Sequence, residues 1–398
     1  MSTQPIPLAD RMERIGLSPT IRATMEADRL RRSGVDVIDL GAGEPDFPTP
    51  PHIVAAAHAA LDQQFTKYTA NPGILELRQA IAERYRQDYG LAIGPEHVIA
   101  TAGGKQALFH VALSLFGPGD EVVTHTPGWP TIVEQIKIAG ATPVVVRTRL
   151  EDGFAVRAAT LLAAVTPRTR AIIVNSPGNP TGALLDEAEA ALLAREAARL
   201  GLWVVLDLCY ERLVYDERPH RLPSIFAEAM ADRLLLAGSA SKAWAMTGWR
   251  SGWLVGPEAV IKAAGALQSH TTSNVNSIAQ KATVAALTGP QACVTEMLAE
   301  YRRRRDQVIA WLGEDARFEC AVPQGAFYVF PSVAAFLSPD RLRTSLQFSE
   351  RLLADEHVVT TAGEAFDAPG FLRVSYAASL DLLKEGISRL VRFARRHA

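Results

Sequence analysis

Short apolar runs alternate with stretches of helical periodicity between residues 95 and 255. The runs are rich in Val, Ile and Leu and are mostly bounded by Gly, Pro or Asn, which is typical of buried strands. The predicted strands are 97–101, 121–125, 142–147, 170–175, 202–207, 233–238 and 252–256. Helical patterns such as 105–116 and 186–200 separate them. Strands that alternate with helices predict a mostly parallel sheet covered by helices on both faces.

The pattern changes after residue 290, where a long polar helix begins. The predicted elements there are a helix at 294–313, strands near 325–330 and 371–375, and a closing helix at 380–396. They indicate a smaller α+β domain, and a helix near 20–33 is expected to pack on it. The predicted organisation is an amino-terminal segment 1–45, a large domain 46–290 and a small domain 291–398.

Composition narrows the classes of function. A net charge of −2 over 398 residues predicts no attraction to nucleic acid or to an anionic membrane. The three cysteines lack CxxC spacing, and no stretch of 18 apolar residues occurs, so a cytoplasmic protein is expected. Nine histidines without an HExxH motif or a Cys/His cluster argue against a metal site. The basic run 302–305 is expected to be the solvated face of a helix.

Unusual residues follow the predicted strands, at the edge where open parallel sheets bind ligands. Gly103 and Gly104, in AGGKQ, precede a helix whose first amides can bind an anion, although such a pair is also common in plain turns. Asn179 lies in a rigid turn, SPGNPTG, that can also be purely structural. Asp207 ends an apolar strand, where a carboxylate is costly to bury unless it meets a cation.

One lysine, Lys242, lies among small and apolar residues in GSASKAWAMTGWRSGW (238–253). Partial burial lowers the pKa of a lysine and makes its amine available as a nucleophile toward a carbonyl. Arg250, in the same stretch, can bind a phosphate. With Asp207 and Gly104, these residues match a ligand that has a carbonyl, a protonated ring nitrogen and a phosphate. Pyridoxal phosphate carries all three groups.

The chain resembles the class I aminotransferases, which depend on pyridoxal phosphate, and among them the bacterial aspartate aminotransferase subgroup. The resemblance rests on GAGEPDFPTP (41–50), KYTANPGILELRQAI (67–81), TAGGKQALF (101–109), NSPGNPTG (175–182), DLCYE (207–211), SKAWAMTGWRSGW (241–253), PQGAFYVF (323–330) and FLRVSYAAS (371–379). It implies an α/β fold, the pyridoxal-phosphate-dependent transferase fold type I. Such a fold has a large domain with a mostly parallel sheet flanked by helices and a smaller α+β domain.

The resemblance also implies a role for each matching residue. Lys242 is expected to bind the cofactor covalently and to move the substrate proton, while Asp207 pairs with the pyridine nitrogen. Tyr210 and Asn179 are expected to hydrogen-bond the phenolic oxygen. The remaining implied contacts are the cofactor ring for Trp129; the phosphate for Gly103, Gly104, Lys105, Ser239 and Arg250; the neighbouring subunit's phosphate for Tyr68; and the substrate for Arg373, Gly43, Trp129 and Asn179.

The activity implied by the resemblance is transfer of an amino group from an L-amino acid to a 2-oxo acid, with 2-oxoglutarate expected, by a ping-pong mechanism in a homodimer with shared sites. Alternatives are a β-lyase, a decarboxylase or an aromatic or broad-range aminotransferase. A pyridoxal-phosphate-binding regulator of transcription is disfavoured because the motifs begin near residue 40. Gly128 stands where relatives often carry an aromatic residue, which leaves the amino donor open. Residues 18–20 are expected to contribute to its selection.

Overall fold

The structure is a computed structural model and describes residues 8–16, 19–215 and 221–397. The helices are α1 (Pro19–Arg32), α2 (Pro51–Asp62), α3 (Leu75–Tyr89), α4 (Gly104–Leu115), α5 (Pro130–Ile138), α6 (Ala158–Ala163), α7 (Glu187–Arg199), α8 (Leu222–Met230), α9 (Glu258–Ser269), α10 (Ser277–Thr288), α11 (Ala292–Leu312), α12 (Ser345–Glu356) and α13 (Leu380–His397). Among the described residues, none of these helices combines the length and apolar character that a membrane span requires.

The strands form one large sheet and two small ones. They are β1 (Ile38–Asp39), β2 (Val98–Thr101), β3 (Glu121–Thr126), β4 (Thr142–Arg147), β5 (Thr169–Asn175), β6 (Trp203–Asp207), β7 (Leu234–Ser239), β8 (Gly252–Val255), β9 (Tyr328–Val329), β10 (Val358–Val359), β11 (Thr361–Ala362) and β12 (Leu372–Ser375). The large sheet has the order β2-β8-β7-β6-β5-β3-β4. Its strands are the seven predicted from the sequence, and only β8 runs antiparallel to its neighbours.

Both faces of the large sheet are apolar, which explains why its strands appear in the sequence as continuous hydrophobic runs. On β5, Ile172 and Val174 join the core on one face, while Ala171 and Ile173 join the core on the other. Helices cover each face, as the alternation of strands and helices predicts. The α/β fold class is therefore confirmed.

A second hydrophobic core lies in the carboxyl-terminal part of the chain. It includes β9, the face of α13 that carries Leu383, Ile387 and Leu390, and Ile38 of β1, which pairs in parallel with β10. Helix α1 contributes Ala27 to a small cluster with Val359 and neighbouring apolar residues. Helix α1 thus contacts residues of the carboxyl-terminal unit. The domain limits at residues 45 and 290 stay a prediction.

The basic run 302–305 on α11 differs from its expected solvated state at two positions. The Arg305 side chain is only 15% exposed, and its Nη1 donates to the carbonyl oxygen of Pro323 at 3.0 Å. Arg304 is buried, with 6% of its surface exposed. Its Nη1 lies 2.8 Å from Asp46 Oδ1 and its Nε lies 2.8 Å from Glu300 Oε1. The interpretation of a solvated face was therefore wrong for Arg304 and Arg305, because Asp46, on a loop distant in the sequence, pairs with Arg304 and the carbonyl oxygen of Pro323 accepts from Arg305.

Candidate active site

The chain reverses between β7 and β8 and places Lys242 at the carboxyl edge of the large sheet. Lys242 Nζ donates a hydrogen bond to the carbonyl oxygen of Gly43 at 2.5 Å and lies 5.9 Å from the ring centroid of Phe327. Burial lowers the pKa of Lys242. A larger fraction of its amine is therefore neutral and able to act as a nucleophile.

Asp207 ends β6 at the same edge and is 3% exposed. Burial raises the pKa of its carboxyl group to about 7, while the backbone N–H of Cys209, which donates to Oδ1 at 3.1 Å, acts in the opposite direction. No cation among the described residues forms an ion pair with Asp207, which explains why desolvation dominates. A cationic ligand group beside Asp207 would restore the ionised form.

Arg373 lies on β12 and is 4% exposed. Its Nη2 donates to the carbonyl oxygen of Gly41 at 2.7 Å, and its Nη1 donates to Asn179 Oδ1 at 3.1 Å. The guanidinium carbon lies 4.4 Å from the ring centroid of Tyr328. Nε is buried without a hydrogen-bond partner. No carboxylate of the described residues forms an ion pair with Arg373, so this buried cation has only neutral oxygen partners.

Gly43 lies between the two cations of the site. Its carbonyl oxygen accepts the hydrogen bond from Lys242. On its other side, a Cβ added to Gly43 would lie 3.5 Å from Tyr328 Oη and 3.8 Å from Arg373 Nη2. The structure thus brings Gly43, Lys242, Asn179 and Arg373 into one region. The sequence prediction grouped these residues in the same way.

Arg250 lies against the amino-terminal end of α4. The helix begins at Gly104, and Gly103 before it has a φ of +84°. A Cβ on Gly103 would lie 2.4 Å from Arg250 Nη2, so the guanidinium touches the backbone here. Arg250 Nη2 also donates to the carbonyl oxygen of Ala102 at 3.1 Å. A guanidinium beside the free amides of a helix start is suited to bind a phosphate.

Ser239 and Lys105 complete this end of the site. Ser239 is buried at the end of β7, and its Cβ would lie 3.5 Å from a Cβ on Gly104. Lys105 Nζ lies 5.1 Å from the ring centroid of Trp129, over the aromatic residue predicted to stack on the cofactor. Partial burial and the charge of Arg250 lower the pKa of Lys105.

The contacts of Tyr210 reveal a residue that the sequence analysis missed. Its hydroxyl oxygen lies 2.8 Å from that of Tyr328, and burial raises the pKa of Tyr210 well above its usual value. Tyr328 belongs to the quoted PQGAFYVF segment, but no role was given to it. Its position depends on the pairing of β9 with β12, where Tyr328 lies opposite Ser375. Local sequence carries no signal for that pairing.

Three further expectations have different outcomes. Tyr68 is 91% exposed and therefore packs against almost nothing within its own chain, so its role at a neighbouring cofactor stays a prediction. A Cβ at residue 128 would lie 2.5 Å from the carbonyl oxygen of His125, which explains the glycine by backbone contact. Of the positions expected to select the amino donor, Ser18 lies outside the described residues.

The three groups of pyridoxal phosphate fit this edge of the sheet. Lys242 has an amine that can react with the carbonyl group of the cofactor. The buried carboxyl group of Asp207 has no cationic partner among the described residues, and the protonated ring nitrogen of the cofactor can be that partner. Arg250 and the start of α4 form a cradle for its phosphate, in which a side chain at Gly103 would collide with the guanidinium. The residues present are therefore compatible with the cofactor that the resemblance implies.

Comparison with known proteins gives the same assignment. The aminotransferase class I and II family matches residues 35–390. The aspartate/prephenate aminotransferase of Cereibacter sphaeroides is 40% identical over 97% of this chain and 98% of its own length, and the aspartate aminotransferase of Bacillus subtilis is 38% identical over 98% and 100%.

Solved structures of aspartate aminotransferases have the same fold. The enzyme from Rhizobium meliloti superposes with a TM-score of 0.94 at 38% identity and covers 99% of this chain and 100% of its own. The enzyme from Thermus thermophilus with maleate gives a TM-score of 0.92 at 39% identity, with 98% and 100% covered. The chain therefore belongs to the class I and II aminotransferase family and is a pyridoxal-phosphate-dependent aminotransferase.

Proposed function

We propose that this aminotransferase uses aspartate as its amino donor and 2-oxoglutarate as its acceptor, and that the residues described above carry the reaction. The observation that carries the proposal is the buried Arg373 guanidinium, which has only neutral partners among the described residues. A buried cation without a counter-ion is costly, and a bound carboxylate removes that cost. Every amino acid and every 2-oxo acid brings such a carboxylate.

The fork geometry of Arg373 suits a carboxylate better than a lysine would. A guanidinium presents two parallel N–H groups that can bind both carboxylate oxygens. The hydrogen bonds to Gly41 and Asn179 fix the plane of this fork before a ligand arrives. The ring of Tyr328 supports one face. These contacts would orient the substrate by its α-carboxylate.

Pyridoxal phosphate, when bound, supplies a carbonyl that condenses with amines and a ring that accepts electrons from the neighbouring carbon. Lys242 would hold its carbonyl carbon, Asp207 its ring nitrogen, and Arg250 with Ser239 and the backbone of Gly103 and Gly104 its phosphate. A carboxylate at Asp207 favours a protonated ring nitrogen, because the buried charge then has a partner.

Lys242 is also the base of the proposed mechanism. Burial lowers the pKa of its amine, so the free Nζ can accept a proton from the substrate Cα. The carbonyl oxygen of Gly43 accepts a hydrogen bond from Nζ and thereby holds the amine on the side of the site where Arg373 approaches Gly43. Within the same half-reaction Nζ would pass this proton to the cofactor carbon that it had held, which would leave the amino group on the cofactor. When the second substrate reacts, Nζ would move a proton in the opposite direction, from that carbon to the substrate Cα.

The choice of an acidic amino donor rests on the names of the relatives and on Lys105. The relatives above act on aspartate by name. The Lys105 amine lies over Trp129 with exposed surface, where it can meet a second carboxylate. This use of Lys105 differs from the phosphate contact expected from the sequence, and neutral variants at this position separate the two.

The proposed assembly is a homodimer in the cytoplasm. The exposed phenol of Tyr68 is available to a second copy of the chain, which supports a site completed across an interface. The three cysteines are free thiols, in keeping with a reducing compartment.

A panel of L-amino acids tested with 2-oxoglutarate or pyruvate checks the reaction and its substrates. We expect aspartate with 2-oxoglutarate to give oxaloacetate and glutamate in equal amounts, without ammonia. Release of ammonia in the absence of a 2-oxo acid would instead indicate a lyase. Lys105→Met should lower kcat/KM for aspartate by about tenfold more than for alanine, because a charge-assisted hydrogen bond to the second carboxylate contributes about 1.5 kcal/mol. If Lys105→Met instead loses kcat/KM equally for both substrates and added cofactor restores it, Lys105 binds the cofactor phosphate, as the sequence predicts.

A further inference from the structure

Two buried tyrosines meet at the centre of the site. The hydroxyl oxygens of Tyr210 and Tyr328 lie 2.8 Å apart, and both side chains are at most 5% exposed. Tyr210 follows β6, the strand that ends in Asp207, whereas Tyr328 lies on β9 of the small sheet. This hydrogen bond therefore connects the cofactor side of the site to the unit that carries Arg373.

The ring of Tyr328 makes a second and separate contact. The guanidinium carbon of Arg373 lies 4.4 Å from the ring centroid, within the range of a cation–π interaction. The interaction is desolvated because both residues are buried. Through its hydroxyl group, Tyr328 thus contacts Tyr210, the residue proposed to bind the cofactor. Through its ring it contacts Arg373, the residue proposed to bind the substrate carboxylate.

The number of protons on the two hydroxyl groups fixes the direction of their hydrogen bond in the loaded enzyme. A phenol has one proton to donate and can accept from other donors. If Tyr210 donates its proton to the phenolic oxygen of the cofactor, it has none left for Tyr328. Tyr328 must then be the donor and Tyr210 the acceptor. A tyrosine that accepts a hydrogen bond becomes a stronger donor itself, because hydrogen bonds in a chain polarise one another.

We infer that Tyr328 is a positioning residue that serves both ends of the site: its hydroxyl group orients and strengthens the Tyr210 donor, and its ring supports the Arg373 guanidinium. The inference rests on the proposed roles of Tyr210 and Arg373. It goes beyond them by assigning two separable effects to one side chain that contacts both.

The first test is the pH at which the absorbance of the holoenzyme changes as the nitrogen joining Lys242 to the cofactor loses its proton. Tyr328→Phe removes the donor to Tyr210 and weakens its hydrogen bond to the phenolic oxygen. More negative charge then stays on that oxygen and favours the protonated nitrogen. The midpoint should rise by about half a pH unit. A net hydrogen bond contributes about 0.5–1.5 kcal/mol, and a pKa shift of one unit corresponds to about 1.4 kcal/mol.

The second test is the affinity for maleate, a dicarboxylate without an amine, measured by spectral titration. Tyr328→Phe keeps the ring and should bind maleate within about twofold of the wild type. Tyr328→Leu removes the ring and should bind it about tenfold more weakly, in the range expected for a desolvated cation–π contact. Its midpoint should match that of Tyr328→Phe. If Tyr328→Leu does not fold, Tyr328→Met replaces it in this test.

The matched control is Tyr215→Phe. Tyr215 and Tyr376 form another buried pair, with hydroxyl oxygens 2.9 Å apart. Loss of that hydrogen bond should lower the thermal stability much as Tyr328→Phe does, while leaving both the midpoint and the maleate affinity at their wild-type values. A midpoint shift in Tyr215→Phe would show that any buried phenol has this effect, and would overturn the inference.

Two comparisons separate failure of the inference from failure of the proposed site. Tyr210→Phe should shift the midpoint upward by more than Tyr328→Phe, and the double variant should match Tyr210→Phe alone. An unshifted midpoint in Tyr328→Phe, or additive shifts in the double variant, would overturn the hydroxyl role. Equal maleate affinities for Tyr328→Phe and Tyr328→Leu would overturn the ring role. An unshifted midpoint in Tyr210→Phe would overturn the assignment of Tyr210 itself.

Discussion

Replacing Arg373 with lysine keeps the positive charge of the proposed carboxylate site and removes its planar fork. Lysine has one ammonium group in place of two parallel N–H donors, so it binds a carboxylate through a point charge. It also cannot reach the Gly41 carbonyl and Asn179 Oδ1 together, which Arg373 contacts with separate nitrogens. The substitution therefore tests geometry and not charge.

The size of the effect follows from the contacts. Losing one of two charge-assisted hydrogen bonds to a buried carboxylate costs about 1.5–3 kcal/mol. The oxygen of Gly41 or Asn179 that is left without a donor adds about 1 kcal/mol. A total near 3 kcal/mol corresponds to a loss of roughly a hundredfold or more in kcat/KM.

The assay is a pair of titrations on Arg373→Lys, one in amino acid and one in pyridoxal phosphate. Affinity for the cofactor should stay within about twofold of the wild type, because Arg373 lies on β12 and contacts no part of the phosphate cradle. Arg250→Ala is the matched comparison. It should retain amino acid affinity when saturated with cofactor, and it should lose activity on dialysis and regain it when cofactor is added.

The opposite pattern would refute the reasoning. Suppose that Arg373→Lys loses cofactor on dialysis while Arg250→Ala binds cofactor normally and loses substrate affinity. Arg373 would then bind the phosphate and Arg250 the carboxylate, the reverse of the roles proposed. Lys242 and Arg250 would then not share one ligand. A loss below about fivefold in Arg373→Lys would show that the fork geometry contributes little.

The remaining predictions concern attachment, assembly and pH. Reduction with borohydride should attach the cofactor permanently to Lys242, as detected by mass spectrometry, and a label on another lysine would contradict the assignment. Lys242→Ala should fold normally but have no aminotransferase activity. Mixing Tyr68→Phe with Lys242→Ala should restore one full site per hybrid dimer, whereas a fully active monomer would argue against sharing. Asp207 keeps its proton to about pH 7 when folded but loses it near pH 4 when unfolded, so it destabilises the cofactor-free fold progressively as pH rises between these values. Asp207→Asn should therefore melt higher than the wild type above pH 7 and equally below pH 4.

Much of the large sheet could be predicted because its information is local. Strands buried on both faces leave continuous apolar runs, and ligand-binding residues of a parallel sheet follow those runs directly. Asp207 is the last residue of β6, and Asn179 and Lys242 lie a few residues after β5 and β7. The order in which these strands lie in the sheet was not needed to group the residues, because their carboxyl ends share one edge.

The residues that were missed depend on pairings distant in the chain. Tyr328 reaches Tyr210 only through the alignment of β9 with β12, and β9 is two residues long. Thr361, whose Oγ1 accepts a hydrogen bond from Arg373 Nη2 at 3.4 Å, belongs to β11, a strand equally short. Arg304 was misread because its partner Asp46 is 258 positions away. Short strands and distant ion pairs leave no periodic signal in a sequence.

The reversed strand β8 determines where the segment between Lys242 and Arg250 can accept an added side chain. Because β7 and β8 are antiparallel, Ser239 lies opposite Gly252, and the segment between them leaves and returns to the same edge. A parallel connection would need a helix and a crossing of the whole sheet. Lys242 and Arg250 therefore lie on one short segment at the same edge of the sheet, and the length of the strands does not affect the distance between them. At Gly248, in the middle of this segment, an added Cβ meets open space, so a side chain is accommodated there. The ends of the segment near Gly238 and Gly252 have no such freedom, since an added Cβ there would collide with Trp253 and Gly103.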